Sequence, residues 1–351
     1  MNLQQKNQVV VWLLAGCVLV FLMVIIGGIT RLTGSGLSIT EWNLIMGTFP
    51  PINEIQWQEV FAKYQASPQF QKVNFEFDLH EFKSIFWWEY IHRFTGRLIG
   101  MVFLVPFGYF LYKKVFDKRQ IRMSLFIFIL GGIQGLLGWL MVKSGLVNNP
   151  HVSHFRLAAH LLTAFITFGF IFYFMLDLLF EHARPLVCPS QKTKQMIRLS
   201  TRLLIGLILI QLVFGAFVAG LHAGKIYTTF PKMEGYWMPE SVTAMNSWLE
   251  NCTENLAGVQ FIHRSMAWLI ALFGSSLAVY SYLKIKDKIL RMALNLFLTA
   301  LFLQFILGVF TLLYSVPVWL GVLHQSGAFL LFASALIFNH RAENHSSNSF
   351  S

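Results

Sequence analysis

Four histidines stand in matched surroundings: Tyr90-Ile91-His92-Arg93, Leu157-Ala158-Ala159-His160, Phe261-Ile262-His263-Arg264 and Val322-Leu323-His324-Gln325. Each lies near the start of a long apolar segment. A histidine inside a membrane helix costs insertion energy and usually faces the bundle interior, and neutral imidazole is a common metal ligand. Four at similar depth therefore read as paired ligands for metal centres. A zinc or copper site commonly adds Cys, Asp or a third His, and these segments offer no such cluster at the same depth. Two imidazoles from facing helices are what a haem iron takes on its two axial positions, with Leu, Phe and Ile against the porphyrin. Haem is the better fit.

The elements that must hold these histidines are membrane helices. With 56% hydrophobic and 12% charged residues over 351 positions, the chain carries more apolar surface than a soluble domain can hide. A span takes ~20 residues at ~1.5 Å rise each. Spans are expected at residues 9–29, 89–112, 123–142, 154–180, 201–221, 257–283, 289–314 and 317–338. The expected fold class is all-α integral membrane, with eight transmembrane helices as two pseudo-symmetric four-helix bundles.

Charge sets an expected orientation. If the termini share a side, the loops there hold Lys113, Lys114, Lys118, Arg119 and Arg122, then Arg184, Lys192, Lys194, Arg198 and Arg202, then Lys284, Lys286, Lys288 and Arg291, with Lys6 and Arg341 besides. Only Asp117, Asp177, Glu181, Asp287 and Glu343 oppose them, so the whole +11 excess falls on one face. The positive-inside rule makes that face cytoplasmic, and the basic balance needs no nucleic-acid partner. The polar start, Met1 to Gln8, lacks the marks of a transit peptide or cleavable signal, so a bacterial cytoplasmic (inner) membrane is expected. Cys17, Cys188 and Cys252 fall in a span, a cytoplasmic loop and an outer loop, which leaves no same-side pair for a disulfide.

The chain also repeats itself. Gln134-Gly135-Leu136-Leu137-Gly138 in the third span matches Gln304-Phe305-Ile306-Leu307-Gly308 in the seventh, and Gln211-Leu212-Val213-Phe214-Gly215 in the fifth is a third copy. Such motifs favour packing over ligand contact, since glycine lets helices approach and glutamine bonds across them. Four spans per half give a parallel repeat about an axis along the membrane normal. The expected organisation is an N-terminal half over 1–180 with a long outer loop at 30–88, a cytoplasmic linker at 181–199, a C-terminal half over 200–340 and a disordered tail at 341–351. In that topology all four histidines lie in the outer leaflet.

One carboxylate stands apart. Glu89 is three residues before His92, on nearly the same helical face and ~4.5 Å away along the axis. Asp78-Leu79-His80-Glu81 reads as a capping box that begins this helix earlier. The position before His263 is Gln260, so only the first half offers an ionisable group beside its metal pair. Arg93, Arg97 and Arg264 either bind propionates or snorkel to the interface; both readings stand. After Asn53 an amphipathic helix with Trp57, Val60, Phe61 and Tyr64 is expected, as a lid or a packing cap over the first site. His154 is off the helical face of His160.

Together, Glu89-Tyr90-Ile91-His92-Arg93, Val152-Ser153-His154-Phe155-Arg156-Leu157-Ala158-Ala159-His160-Leu161, Val259-Gln260-Phe261-Ile262-His263-Arg264 and Leu323-His324-Gln325 resemble the signatures of the haem A synthase family. So do Gly28-Ile29-Thr30-Arg31-Leu32-Thr33-Gly34-Ser35-Gly36-Leu37-Ser38, Glu41-Trp42 and Gly47-Thr48-Phe49-Pro50-Pro51. The resemblance covers nearly the whole chain and is closest to the branch shared by proteobacterial-type and mitochondrial enzymes. It departs from Gram-positive members in having no cysteine pair in the first outer loop.

The resemblance implies a membrane oxidoreductase that converts the C8 methyl of haem O to a formyl group through hydroxylated intermediates. His263 and His324 would hold a resident haem b, His92 and His160 the substrate or product haem, and Glu89 would handle protons during oxidation. Implied partners are membrane lipid, a haem O synthase as supplier, cytochrome oxidase assembly as recipient and an electron donor of unspecified kind; a homo-oligomer is left open. The competing readings are a dihaem b electron carrier, which needs no acid beside one haem alone, and a transporter, disfavoured because the spans lack paired midplane charges.

Overall fold

The computed structural model describes all residues except 42–48, 147–149, 151, 182–185, 187–189 and 344–351. Trp42, Gly47, Thr48, His151, His182, Cys188 and His345, residues 182–185 and 187–189 of the expected linker 181–199, and the tail beyond Glu343 therefore lie outside the described residues.

Eight helices are long and apolar enough to cross a membrane: α1 (Leu3–Leu32), α4 (Leu79–Tyr112), α5 (Lys118–Gly145), α6 (His154–Leu179), α7 (Gln191–Gly220), α9 (Leu256–Lys284), α10 (Lys288–Leu313) and α11 (Val318–Glu343). They coincide with the eight expected spans, and most run longer. The extra length comes from polar caps that satisfy the first backbone N–H groups outside the apolar stretch. Asp78 and Asp117 each form a capping box at the start of α4 and α5, and Ser190, Asn255 and Asp287 cap α7, α9 and α10. The Asp78 box starts α4 ten residues before the expected membrane entry, so its first turns project beyond the apolar stretch.

Those turns carry an aromatic cap. α2 (Glu54–Gln65) begins at the Asn53 N-cap and buries Trp57, Phe61 and Tyr64 against Phe82, Ile85 and Phe86 of α4. Tyr64 and Phe82 stack with ring centroids 4.9 Å apart, and Trp57 meets Phe86 edge-on at 4.9 Å. α3 (Pro68–Lys72) ties this cap to the loop after α1, because Gln69 Nε2 donates to the Gly34 carbonyl at 2.7 Å. Asn74 Nδ2 donates to the Tyr64 hydroxyl at 2.8 Å, and burial pushes the Tyr64 phenol up to about 12. The segment is thus a packed cap with a core of its own.

The described chain forms two compact units, Met1–Phe168 and Gly169–Ser351. In the second, α7 packs on α9, α9 on α10, α10 on α11 and α11 on α7, which closes a four-helix ring. In the first, α1 packs on α4 and α4 on α5. α6 is bonded to α5 through Arg156 Nη1 to the Leu140 carbonyl at 2.6 Å and Gln134 Nε2 to the His160 carbonyl at 3.0 Å. Short α8 (Trp248–Thr253) precedes α9 and packs on its start.

Candidate metal centres

Each histidine is bedded on a glycine of the long helix that precedes its own. A methyl placed on Gly27 of α1 would lie 3.3 Å from His92 Nε2, and one on Gly138 of α5 would lie 3.2 Å from His160 Cε1. In the second unit the same construction puts Gly215 of α7 3.2 Å from His263 Cε1 and Gly308 of α10 2.9 Å from His324 Cε1. Carbon atoms rest ~3.5–4.0 Å apart, so a side chain at Gly138, Gly215 or Gly308 would push the imidazole back, and one at Gly27 would crowd the His92 nitrogen by less. Glycine is required here for close approach, not for backbone conformation.

Three of the four beds carry a second contact. Gln134, one turn before Gly138, donates to the His160 backbone carbonyl at 3.0 Å, and Gln211, one turn before Gly215, donates to the His263 carbonyl at 2.9 Å. The amide of Gln304, one turn before Gly308, lies 3.1 Å from His324 Nδ1. The Gln-x-x-x-Gly motifs are therefore packing motifs, and what they pack is the histidine of the next helix.

The site geometry suits a haem. His263 and His324 face each other with ring centroids 6.5 Å apart and planes at 84°. Two imidazoles bound to one metal at ~2 Å per bond have centroids roughly 6.3 Å apart, so the pair is already spaced for a shared iron. The Nδ1 atoms of His160 and His263 are buried without a hydrogen-bond partner among the described residues. All four histidines are half-buried. Among the described residues no three His, Cys, Asp or Glu side chains come together.

Glu89 is buried and fully engaged. Its Oε1 accepts from Arg93 Nη2 at 2.6 Å and Nε at 3.1 Å, and its Oε2 accepts from Ser38 Oγ at 2.7 Å and the Ile39 N–H at 2.8 Å. Arg93 also donates to the carbonyls of Glu41 and Ile39 at 2.8 Å each. The pair thus clamps the loop that follows α1. The second unit repeats the clamp without the carboxylate. Gln260 donates to the Tyr227 carbonyl at 2.9 Å, while Arg264 Nη2 donates to the carbonyls of Thr229 and Pro231 at 2.9 Å each and of Lys232 at 3.2 Å. Glu89 and Arg93, like Gln260 and Arg264, are spaced one turn apart, so both members reach the same loop from one helical face.

The histidines expected to pair are brought to matching beds, and Arg93 and Arg264 are found holding loop backbone. Arg97 lies on α4 one turn beyond Arg93. His154 opens α6, and its ring centroid lies 4.2 Å from that of Phe155. Sequence reasoning missed Gly27, because its motif lacks the glutamine that marks the other three. The loop-clamping role of Glu89 was missed because its partners are about fifty residues away.

Comparison with known proteins shows the family. The family model COX15-CtaA, described as cytochrome oxidase assembly protein, matches residues 10–336. A "Heme A synthase" of Flavobacterium psychrophilum is 45% identical over 347 residues, covering 97% of this chain and 99% of that one. A "Heme A synthase" of Nitrosospira multiformis is 46% identical, covering 95% and 93%, and one of Wolbachia pipientis wMel is 44% identical, covering 95% and 92%. With a family match over nearly its full length and relatives this similar from end to end, the chain belongs to the COX15-CtaA family of cytochrome oxidase assembly proteins.

Proposed function

We infer that this protein is a haem A synthase: a membrane oxidoreductase that oxidises the C8 methyl of haem O to a formyl group for cytochrome oxidase assembly. The observation that carries the reading is the 6.5 Å separation of His263 and His324 in a chain 45% identical to a protein named Heme A synthase. His263 and His324 hold a resident haem b, and His92 and His160 hold the substrate or product haem. Bound in this way, the haem irons supply redox chemistry that no side chain here can perform.

The protein's own groups then position and protect. The glycine beds set how closely each imidazole approaches the neighbouring helix. Glu89 is the proton-handling group of the first site, placed one turn before His92, and its bonds to Ser38 and Ile39 fix the carboxylate in place. The Trp57 and Phe61 cap stands over that site and limits water entry. Arg97 and the Nη1 group of Arg264, which has no hydrogen-bond partner among the described residues, serve the propionates. Both termini lie in the cytoplasm of a bacterium and the haem sites lie toward the outer face of its inner membrane, a reading supported by the excess of Lys and Arg in the loops on one side. A haem O synthase supplies the substrate, and terminal oxidase assembly takes the product.

The test is to express the chain with a haem O synthase, purify it, and identify the extracted haems by chromatography and absorption. Haem A or its hydroxylated precursor is expected. Haem b alone at both sites would overturn the reading and favour a dihaem electron carrier. Glu89→Gln, which keeps the side chain's shape, should retain haem while haem A formation falls; undiminished haem A would remove Glu89 from the chemistry.

A further inference from the structure

Four histidines rest on four glycines, but only three of the beds are braced. The residue one turn before the glycine is Gln134, Gln211 or Gln304 in α5, α7 and α10, and each reaches the histidine helix opposite. In α1 the equivalent residue, four before Gly27, is Met23. A thioether has no hydrogen to donate and its chain is flexible. Its methyl instead meets the next helix at Gly96, where a side-chain carbon would lie 3.4 Å away. No side chain among the described residues hydrogen-bonds His92.

We propose that Gln134, Gln211 and Gln304 are positioning residues that brace His160, His263 and His324 as axial ligands, while Met23 leaves His92 unbraced so that the first site can take in and release its haem. This rests on the reading of the chain as a haem A synthase, in which one site must exchange its haem and the other must keep it. In the apolar interior an amide bonded to the carbonyl of the ligand's own residue fixes both the height and the approach of the histidine helix. His160 and the unbraced His92 then make the first site held firmly on one side only. In the second site both ligands are braced, and the Gln304 amide also packs on α11, with its oxygen where a side chain on Gly327 would begin.

A separate observation agrees. Among the described residues α5 buries only Ser124, Ile127 and Gly145, whereas α10, its counterpart in the second unit, buries Leu290, Ala293, Leu294, Phe297, Leu301 and Thr311. The wall that carries Gly138 is held by fewer side chains than the wall that carries Gly308.

The experiment uses the full chain in detergent, loaded by co-expression with a haem O synthase. Transfer of haem to apomyoglobin is timed, the haem types are separated by chromatography, and low-spin electron paramagnetic resonance signals are recorded before transfer. Met23→Gln should slow release of the first-site haem about fivefold, the equivalent of one added neutral hydrogen bond, and leave the second-site haem unchanged. Gln211→Leu should hasten release of the second-site haem by a similar factor and broaden its low-spin signal. Wild-type release rates and signals in both variants would overturn the proposal. If Gln211→Leu does not fold, Met23→Gln, which removes no existing bond, decides alone. A wild-type protein carrying only haem b would end the haem A synthase reading, and the relative release rates from the two sites would still judge the braces.

Discussion

Gly308→Ala should separate haem binding from folding. The added methyl would sit 2.9 Å from His324 Cε1, where two carbons rest at ~3.5–4.0 Å, so the ring must retreat by about 0.6 Å or more. A metal–nitrogen bond of ~2 Å cannot follow so large a shift without lengthening or tilting. Overpacking of this kind costs about 1–3 kcal/mol, which corresponds to roughly 5- to 150-fold in haem affinity. The helix itself gains, since alanine is about 1 kcal/mol better than glycine in a helix interior. The expected outcome is therefore an intact, at least equally stable apo-protein that has lost second-site haem. The measurements are haem per protein by pyridine haemochrome, the low-spin resonance signal, and helix melting by circular dichroism. Gly138→Ala and Gly215→Ala, at 3.2 Å, should show smaller losses, and Gly27→Ala, at 3.3 Å from a nitrogen, the smallest. Full haem content with an unchanged signal in Gly308→Ala, or the largest loss in Gly27→Ala, would refute the bed geometry.

Three other outcomes follow from the contacts. Glu89→Gln breaks a buried ion pair whose side chains are 3% and 11% exposed, so a cost of about 3–5 kcal/mol is expected locally; hydrogen exchange at residues 35–41 should quicken while the other spans stay protected. In the second unit, the Arg341 guanidinium, donating to Asp287 at 3.0 and 2.6 Å, holds that carboxyl below the ordinary aspartate value of 3.8. Because the folded value is the lower one, the stabilisation is present above the ordinary range and lost as pH falls through the folded value; Asp287→Asn should flatten the acid limb of a melting-temperature profile, and an unchanged limb would exclude this pair as its source. Trp57→Ala removes a buried ring from the cap, at about 3–5 kcal/mol, and should expose α2 and α3 to limited proteolysis while haem stays bound to His263 and His324.

Much of the fold was legible because membrane insertion is judged segment by segment. Each span declares itself by its own length and apolarity, and the Asp78 box predicts the early start of α4 from four consecutive residues. Trp57, Phe61 and Tyr64 repeat at helical spacing, which was enough to place them on one buried face of α2. Distant partners were less legible. Gln134, Gln211 and Gln304 were visible as packing residues, but nothing local shows that each packs on the histidine of the next helix. Arg93 and Arg264 sit beside histidines in sequence, which pointed toward propionates, while in the fold their guanidiniums turn to loop carbonyls.

By itself the sequence determined the class of the protein, the eight spans, the four histidines and the chemical inequality of Glu89 and Gln260, all properties of residue type and short-range spacing. Only the tertiary structure decided which glycine beds which histidine, that His263 and His324 stand 6.5 Å apart, and that Glu89 holds Ser38 and Ile39. The reason is physical: hydropathy and capping are summed over neighbours in the chain, whereas a ring seated on a bare backbone or a carboxylate closed by a distant loop depends on how packed helices approach. The asymmetry between Met23 and the three glutamines lay in the sequence throughout, and it became chemistry only when the helices showed what those four positions touch.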